Sequence, residues 1–245
     1  MAEPARHSVL GYPLDAVTLP EAVDWVLDRA QSGAKVPPAL VVTLNPEIVV
    51  QATQDPALAR ALQAADLSVA DGVGVAWAAR RAGVNLPGRV PGVDLATEAM
   101  RAGAADLSVY FLGARPGVAE RAAQEARQRY GIVVAGSHHG YFDKSDAVEV
   151  IDMVSRAGPD LLLAGLGEGQ ERFLHEHRET LGAAVLIGVG GTLDVLAGEV
   201  KRMPAWTTRL GVEWLFRVLL DRRRWGRLPR LFRFAALVLS GRSVA

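Results

Sequence analysis

The chain has 245 residues, half of them hydrophobic, which allows a large buried core and argues against disorder. It contains no cysteine, so disulfides are excluded and a reducing compartment is favoured. Its 27 basic and 27 acidic residues cancel overall, yet residues 201–245 hold eleven Lys and Arg against two acids. That segment therefore carries a net charge of +9 and residues 1–200 carry −9, which divides the chain into two units.

Helical and strand patterns alternate through residues 1–200. Thr18 and Glu21 form a capping box ahead of a helix over 22–30, and the continuous apolar run at 39–44 is typical of a buried parallel strand. Further strands are predicted at 66–70, 107–113, 131–136, 160–167 and 184–191, and helices at 56–65, 73–82, 92–103, 145–157 and 170–180 and after Pro116. The alternation predicts an α/β fold with a Rossmann-like, mainly parallel sheet covered by helices on both faces.

The basic segment 201–245 is also rich in apolar and aromatic residues, and it holds three of the five tryptophans. Two amphipathic helices are predicted in it, one over 212–220 and one whose apolar stripe is Leu228, Leu231, Phe232, Ala235 and Leu239. Its apolar runs are shorter than the roughly 20 residues that span a bilayer. We therefore expect the segment to lie on an anionic membrane surface, with nucleic acid as the second candidate partner.

Residues that follow the predicted strands form the candidate site, because ligands of parallel sheets bind at the carboxyl ends of the strands. Asp71 comes directly after the strand at 66–70, and Gly72 and Gly74 would let the backbone approach a ligand. The Asp71 carboxylate could act as a general base on a hydroxyl, or it could cap the next helix.

Polar residues also end the strand at 39–44. Thr43, Asn45 and Glu47 could hydrogen-bond a sugar or a phosphate, or they could serve the turn around Asn45 and Pro46. Arg89 lies between two turns and could hold a phosphate through two N–H groups, or it could be a solvated loop residue.

Glycine-rich loops follow three other strands. Gly167 and Gln170 lie in the loop at 165–171, while Gly113 and Asp194 end or follow the strands at 107–113 and 184–191. None of these loops has the G-x-G-x-x-G spacing of a dinucleotide site, and no Walker A lysine is present. We therefore predict no cofactor, and we assign to substrate binding Thr43, Asn45, Gly72, Gly113, Gly167, Gln170 and Asp194.

No metal site is predicted from the histidines. His138 and His139 are adjacent, and His175 and His177 are two residues apart on a helix, so neither pair converges on one ion. The chain also lacks H-E-x-x-H and Asp-x-Asp motifs.

Three arginines of the basic segment could replace a metal at a diphosphate. Arg217, Arg224 and Arg227 recur at spacings of seven and three residues, about one helical face. They could neutralise charge on a departing diphosphate, and they could also contact lipid phosphate.

The ordered set of motifs resembles the WecG/TagA/CpsF glycosyltransferases. The similar segments are T-L-N-P-E at 43–47, A-D-G-V-G-V at 70–75, R-V-P-G-V-D-L at 89–95, F-L-G-A-R-P-G-V at 111–118, G-L-G-E-G-Q-E at 165–171, G-V-G-G-T-L-D at 188–194, and R-M-P-A-W followed by G-V-E-W-L-F-R within 202–217. They cover nearly the whole chain.

The resemblance implies an inverting transferase that moves N-acetylmannosamine or a relative from a UDP donor, and the lack of a metal motif predicts that it works without a metal ion. The acceptor would be N-acetylglucosamine on undecaprenyl diphosphate, at the cytoplasmic face of the membrane. Asp71 would be the base, with Arg89, Arg217, Arg224 and Arg227 as further catalytic residues and Thr43, Asn45 and Gln170 in the pocket. Residues 1–200 would form the catalytic domain and 201–245 a membrane-docking appendage.

Two other classes of function remain open from the sequence. One is an α/β module that binds nucleic acid through the basic segment, although the acidic charge of 1–200 and the apolar stripes count against it. The other is a scaffold at the membrane without chemistry. A homo-oligomer is a further alternative, because the apolar stripes could pack on a second subunit.

Overall fold

An antiparallel hairpin begins the part of the chain that the computed structural model describes, which is residues 4–32, 37–143, 145–200 and 228–241. Strands β1 (Arg6–Val9) and β2 (Tyr12–Asp15) are joined through Leu10 and Gly11, both at positive φ. Asp15 is buried; it pairs with Arg6 at 2.8 Å and accepts the Ser68 N–H at 2.7 Å. These contacts attach the hairpin, which the sequence patterns did not predict, to the main sheet.

The main sheet has six strands, all parallel. They are β3 (Ala39–Leu44), β4 (Leu67–Ala70), β5 (Ser108–Gly113), β6 (Val133–His138), β7 (Leu161–Gly165) and β8 (Val185–Gly188), in the order β4-β3-β8-β7-β5-β6. All six residues of β3 are buried, as expected for a strand covered on both faces. The predicted α/β fold with a parallel sheet is confirmed.

Helices cover both faces of this sheet. They are α1 (Leu19–Ser32), α2 (Pro46–Ala52), α3 (Pro56–Gln63), α4 (Val73–Arg81), α5 (Gly92–Gly103), α6 (Val118–Tyr130), α7 (Ala147–Ala157), α8 (Gln170–Glu176), α9 (Thr192–Leu196) and α10 (Leu228–Ser240), with a 3-10 turn at Ala104–Asp106. Side chains of α1, α5, α6 and α9 share one hydrophobic cluster, and those of α2, α3, α4, α7, α8 and α10 share the other. The sheet thus separates two cores.

Local sequence signals place several helix starts. The Thr18 N–H donates to Glu21 Oε2 at 2.7 Å and the Glu21 N–H to Thr18 Oγ1 at 3.4 Å, which confirms the predicted capping box. The bond from the Thr18 N–H, followed by one from the Thr18 hydroxyl to Glu21 Oε2 at 2.8 Å, lowers the pKa of Glu21. Helix α2 begins at the predicted strand-to-helix turn of Asn45 and Pro46, whereas α9 was not predicted, because five residues are too short for helical periodicity to show.

The face of α10 that packs on the core differs from the apolar stripe predicted from the sequence. Phe234 and Val238 are the buried residues, whereas Phe232 and Leu239 of the stripe are 72% and 60% exposed. The helix lies against α2. The other predicted helix of the basic segment, at 212–220, lies outside the described residues.

Candidate active site at the carboxyl edge of the sheet

The connections that follow β3 and its neighbour β8 pass to opposite faces of the sheet. The chain leaves β3 into α2, whose Ile48 belongs to one core, and leaves β8 into α9, whose Leu193 belongs to the other. Neighbouring strands that connect to opposite faces leave a crevice at their carboxyl ends, and open α/β sheets bind ligands there. The crevice between β3 and β8 is therefore the first place to look for a site.

Gly188, the last residue of β8, is the centre of this crevice. Its carbonyl accepts a hydrogen bond from Thr43 Oγ1 at 2.9 Å, across 145 residues of sequence. A Cβ at Gly188 would lie 2.7 Å from Gln170 Nε2 and 3.0 Å from Glu171 Oε1. Because Gly188 has no side chain, three polar side chains from β3 and α8 can come together at the end of β8. Thr43 and Gln170, predicted separately, meet around Gly188, a residue for which no role was predicted.

Gln170 is held at both ends of its carboxamide. Its Nε2 donates to Glu171 Oε1 at 2.7 Å, and its Oε1 accepts the Gly190 N–H at 3.3 Å. Gln170 and Glu171 are both buried, at 6% and 2% exposure. Burial raises the pKa of the Glu171 carboxyl, and the hydrogen bond from Gln170 opposes that rise.

Asn45 sits where β3 passes into α2, and the structure gives its side chain a local task. Its Oδ1 accepts the backbone N–H groups of Glu47 and Ile48 at 3.0 and 3.2 Å, so Asn45 is the N-cap of α2. Pro46 follows as the first residue of the helix. The turn role considered for Asn45 is therefore confirmed, and its amide nitrogen, 3.4 Å from the Thr43 carbonyl, remains at the edge of the crevice.

Asp71 follows β4, the strand beside β3, and is half-buried at the same edge. Its N–H donates to the Leu44 carbonyl at 2.8 Å, so its backbone is tied to the end of β3. The N-cap of α4 is Gly72, at φ +92°, rather than Asp71. A left-handed glycine lets the chain turn sharply between strand and helix, and it leaves Asp71 ahead of the helix start.

The chain comes back to the end of β4 at residues 89 and 90, which places Arg89 at the same strand end as Asp71. The Val90 N–H donates to the Ala70 carbonyl at 2.9 Å, next to the bond that ties Asp71 to Leu44. Arg89 and Asp71, eighteen positions apart in sequence, thus flank adjacent backbone hydrogen bonds at the end of β4. Both side chains take part in polar or electrostatic interactions.

Glycines allow close packing of backbone at the other strand ends. A Cβ at Gly113 would collide with the Gly165 carbonyl, and one at Gly165 would lie 2.6 Å from the Gly190 carbonyl. Gly113 therefore serves the packing of β5 against β7. Of the other predicted residues, Gly167 is exposed at φ +75° in the loop after β7, and Asp194 lies half-buried in α9.

Helix α10 reaches the loop after β7. Arg230 forms an ion pair with Glu168 at 2.5 Å, and Gln51 of α2 lies 3.4 Å from the same carboxylate. Phe234 covers Gly74 at the start of α4. The C-terminal helix therefore borders the carboxyl edge of the sheet, while Arg217, Arg224 and Arg227 lie outside the described residues.

Three of the five histidines, His138, His139 and His177, lie in a group of aromatic rings. The ring of His138 lies 4.4 Å from that of His139, and the ring of His177 lies 4.8 Å from Phe173. Within the described ranges, no three His, Asp or Glu side chains come together as metal ligands. None of the helices in those ranges is long and apolar enough to cross a bilayer.

Two residues of the site were missed by the sequence analysis. Glu171 was not singled out because a glutamate in the first turn of a helix is usually exposed. Gly188 was considered for a dinucleotide fingerprint and belongs, like Glu171, to a motif of the family resemblance, but no role was predicted for it. The motifs at 165–171 and 188–194, which contain these two residues, are the signal that could have drawn attention to them.

Comparison with known proteins gives a consistent result along the chain. A family model described as the glycosyl transferase WecG/TagA/CpsF family matches residues 7–244. A relative from Bacillus spizizenii is 35% identical over 204 residues, 82% of this chain and 79% of its own length. One from Staphylococcus aureus is 34% identical over 229 residues, 93% of this chain and 89% of its own length. Both relatives are named N-acetylglucosaminyldiphosphoundecaprenol N-acetyl-beta-D-mannosaminyltransferase.

Proposed function

This chain belongs to the WecG/TagA/CpsF family of glycosyl transferases, and from that premise we propose that it transfers N-acetylmannosamine or a close relative from a UDP donor. The acceptor is N-acetylglucosamine on a polyprenyl diphosphate. The observation that carries the proposal is the shared name of two relatives that align with 82% and 93% of the chain. A crevice between the carboxyl ends of β3 and β8, bordered by Thr43, Gln170, Asp71 and Arg89, supports it.

The proposed chemistry is a single displacement at the anomeric carbon. Asp71 removes the proton from the acceptor hydroxyl, and the oxygen forms a bond to the anomeric carbon from the face opposite UDP. The bond between that carbon and the diphosphate oxygen breaks, and its electron pair leaves with UDP. The anomeric configuration is inverted. The half-buried position of Asp71 at the end of β4 suits a carboxylate that must meet a hydroxyl.

Arginines rather than a metal ion stabilise the departing diphosphate in this proposal. Arg89 lies at the same strand end as Asp71, and Arg217, Arg224 and Arg227 of the basic segment complete the set. Preorganised cations near a leaving group lower the barrier because they meet the charge as it develops. The contact of α10 with the loop after β7 supports a basic segment that closes over the site.

The same proposal assigns a membrane role to residues 201–245 and catalysis to residues 1–200. A polyprenyl acceptor stays in the bilayer, so the enzyme attaches to the inner membrane face as a peripheral protein. Phe232 and Leu239 on the outer side of α10 provide exposed apolar surface, and basic residues each add about 1 kcal/mol near an anionic surface.

The first test measures UDP release from several UDP-sugars with and without a short-chain N-acetylglucosaminyl diphospho-lipid. We expect acceptor-dependent release from UDP-N-acetylmannosamine or a relative in the absence of divalent metal. Failure of every donor, with liposomes and metal added, would refute the proposed reaction.

Asp71→Asn tests the base. Loss of a general base costs about 10²- to 10⁴-fold in turnover, while UDP binding should be unchanged. Asp106→Asn is the matched control, because Asp106 is exposed in the turn before β5, at the opposite end of the sheet. Near-normal turnover of Asp71→Asn would remove Asp71 from the mechanism.

A further inference from the structure

Glu171 is a buried carboxyl group that the proposed mechanism does not use. It is 2% exposed, and within the described parts of the chain no basic side chain forms an ion pair with it. The other fully buried carboxylate there, Asp15, is paired with Arg6 and fastens the hairpin. Burial of an acid without a cation is costly, so a structural explanation like that of Asp15 does not apply to Glu171.

The contact between Glu171 and Gln170 is unusual for consecutive residues of a helix. Neighbours in a helix project about 100° apart and do not normally face each other. Here both side chains lean over Gly188, whose missing Cβ leaves room for them. The carboxylate oxygen then lies 2.7 Å from the Gln170 amide nitrogen. The end of β8 thus makes this hydrogen bond possible.

Together with Gly190, this contact fixes the direction of the Gln170 amide. The Gly190 N–H donates to the amide oxygen at 3.3 Å, and the Glu171 carboxylate accepts from the amide nitrogen. The two bonds therefore fix which end of the amide carries the oxygen. A carboxamide offers two N–H donors and two acceptor positions on its oxygen. Among the residues that the structure describes, one of each is used, so with respect to those residues one N–H and one acceptor position are left for a ligand in the crevice.

We infer that Glu171 is a positioning residue that holds Gln170 in the orientation in which it binds the UDP-sugar. The inference rests on the proposed function, because it gives the nucleotide-sugar as the ligand of Gln170. Glu171 itself does not contact the donor. Without Glu171 the amide could turn over or swing toward water, and donor binding would weaken even though the fold is intact.

Glu171→Met separates positioning from a structural role. Methionine has a similar length and only a weakly accepting sulfur, and it removes the desolvation of a buried carboxyl, so the melting temperature should stay equal or rise. The KM for the donor should rise by about tenfold, the equivalent of one lost hydrogen bond, while the acceptor KM changes little. Glu171→Gln keeps an acceptor oxygen and should recover most of the loss.

A double-mutant cycle gives the second readout. If Glu171 acts through Gln170, the variant with both Gln170→Ala and Glu171→Met should be no worse than Gln170→Ala alone. Effects that multiply would overturn the inference. Glu176→Met, at the exposed end of the same helix, is the control and should behave like the unsubstituted protein.

The outcomes keep the two proposals apart. An unsubstituted protein that transfers no sugar contradicts the proposed function. If the unsubstituted protein is active and Glu171→Met leaves the donor KM unchanged, the positioning role is contradicted. It is also contradicted if the loss of activity is no larger than the fall in melting temperature explains. Should Glu171→Met not fold, Glu171→Ala is measured in the same cycle against the same expectations.

Discussion

Phe234 is the residue on which the docking of α10 depends most, and Phe234→Ala tests this directly. Its side chain is 3% exposed, and its ring lies 3.4 Å from the position that a Cβ would take on Gly74. Phe232, two residues earlier on the same helix, is 72% exposed. The same change, Phe to Ala, can therefore be made at two positions of one helix, one buried and one exposed.

The expected difference follows from burial. Truncating a buried phenylalanine costs about 3–5 kcal/mol, whereas an exposed substitution changes stability by about 0.5 kcal/mol or less. Helix α10 packs on one side only, so we take about 3 kcal/mol for Phe234→Ala. Because about 1.4 kcal/mol corresponds to a factor of ten, the ratio of docked to undocked helix should fall by about 100-fold.

Hydrogen exchange of the α10 amides measures that ratio in the native protein. Exchange in residues 228–240 should accelerate by up to about 100-fold in Phe234→Ala and stay the same in Phe232→Ala. Phe232→Ala should instead weaken binding to anionic liposomes. Equal exchange rates in the two variants would refute the docking of α10 through Phe234.

Two further predictions concern packing and pH. Gly74→Ala places a Cβ 2.5 Å from Pro46 Cγ. This overpacking should lower the free energy of unfolding, measured in urea titrations, by about 1–3 kcal/mol. Gly88→Ala, whose Cβ would lie in open space, is the control. Burial raises the pKa of Glu171, so the folded protein binds the proton more tightly than the unfolded chain. Stability from Glu171 is therefore present below its unfolded pKa and declines, by up to about 1.4 kcal/mol per pH unit, as pH rises toward the folded pKa. Glu171→Gln lacks this decline. In urea titrations, the free energy of unfolding of the variant should therefore rise relative to that of the unsubstituted protein as pH increases above about 4.5.

Each of these has a clear contrary result. Equal urea midpoints for Gly74→Ala and Gly88→Ala would mean that α4 can shift away from Pro46 without cost. A difference between Glu171→Gln and the unsubstituted protein that is constant with pH, or that shrinks as pH rises, would mean that the carboxyl is no harder to ionise in the folded state.

Much of the secondary structure could be predicted because its causes are local. The run at 39–44 is apolar throughout because β3 is buried on both faces, and its observed bounds match the prediction. The capping box at Thr18 works through hydrogen bonds over three residues. The hairpin of β1 and β2 was missed because four-residue strands joined through Leu10 and Gly11 carry no recognised turn signal.

The candidate site could be predicted only in part. Its members are polar or glycine residues after strands, and the sequence identified Thr43, Asn45, Asp71, Arg89 and Gln170 in that way. It could not show which of them meet. Asn45 is an example, since its carboxamide could equally cap a helix or bind a sugar, and only the geometry shows that its oxygen caps α2.

The sequence by itself determined the α/β class and the parallel sheet, and it predicted a site at the strand ends, because burial and capping act over a few residues. Only the tertiary structure decided that β8 lies between β3 and β7, so that Thr43 reaches Gly188 and Glu171 holds Gln170. Strand order depends on how two cores pack on opposite faces of one sheet. That packing is a property of residues far apart in the chain, and no local pattern records it.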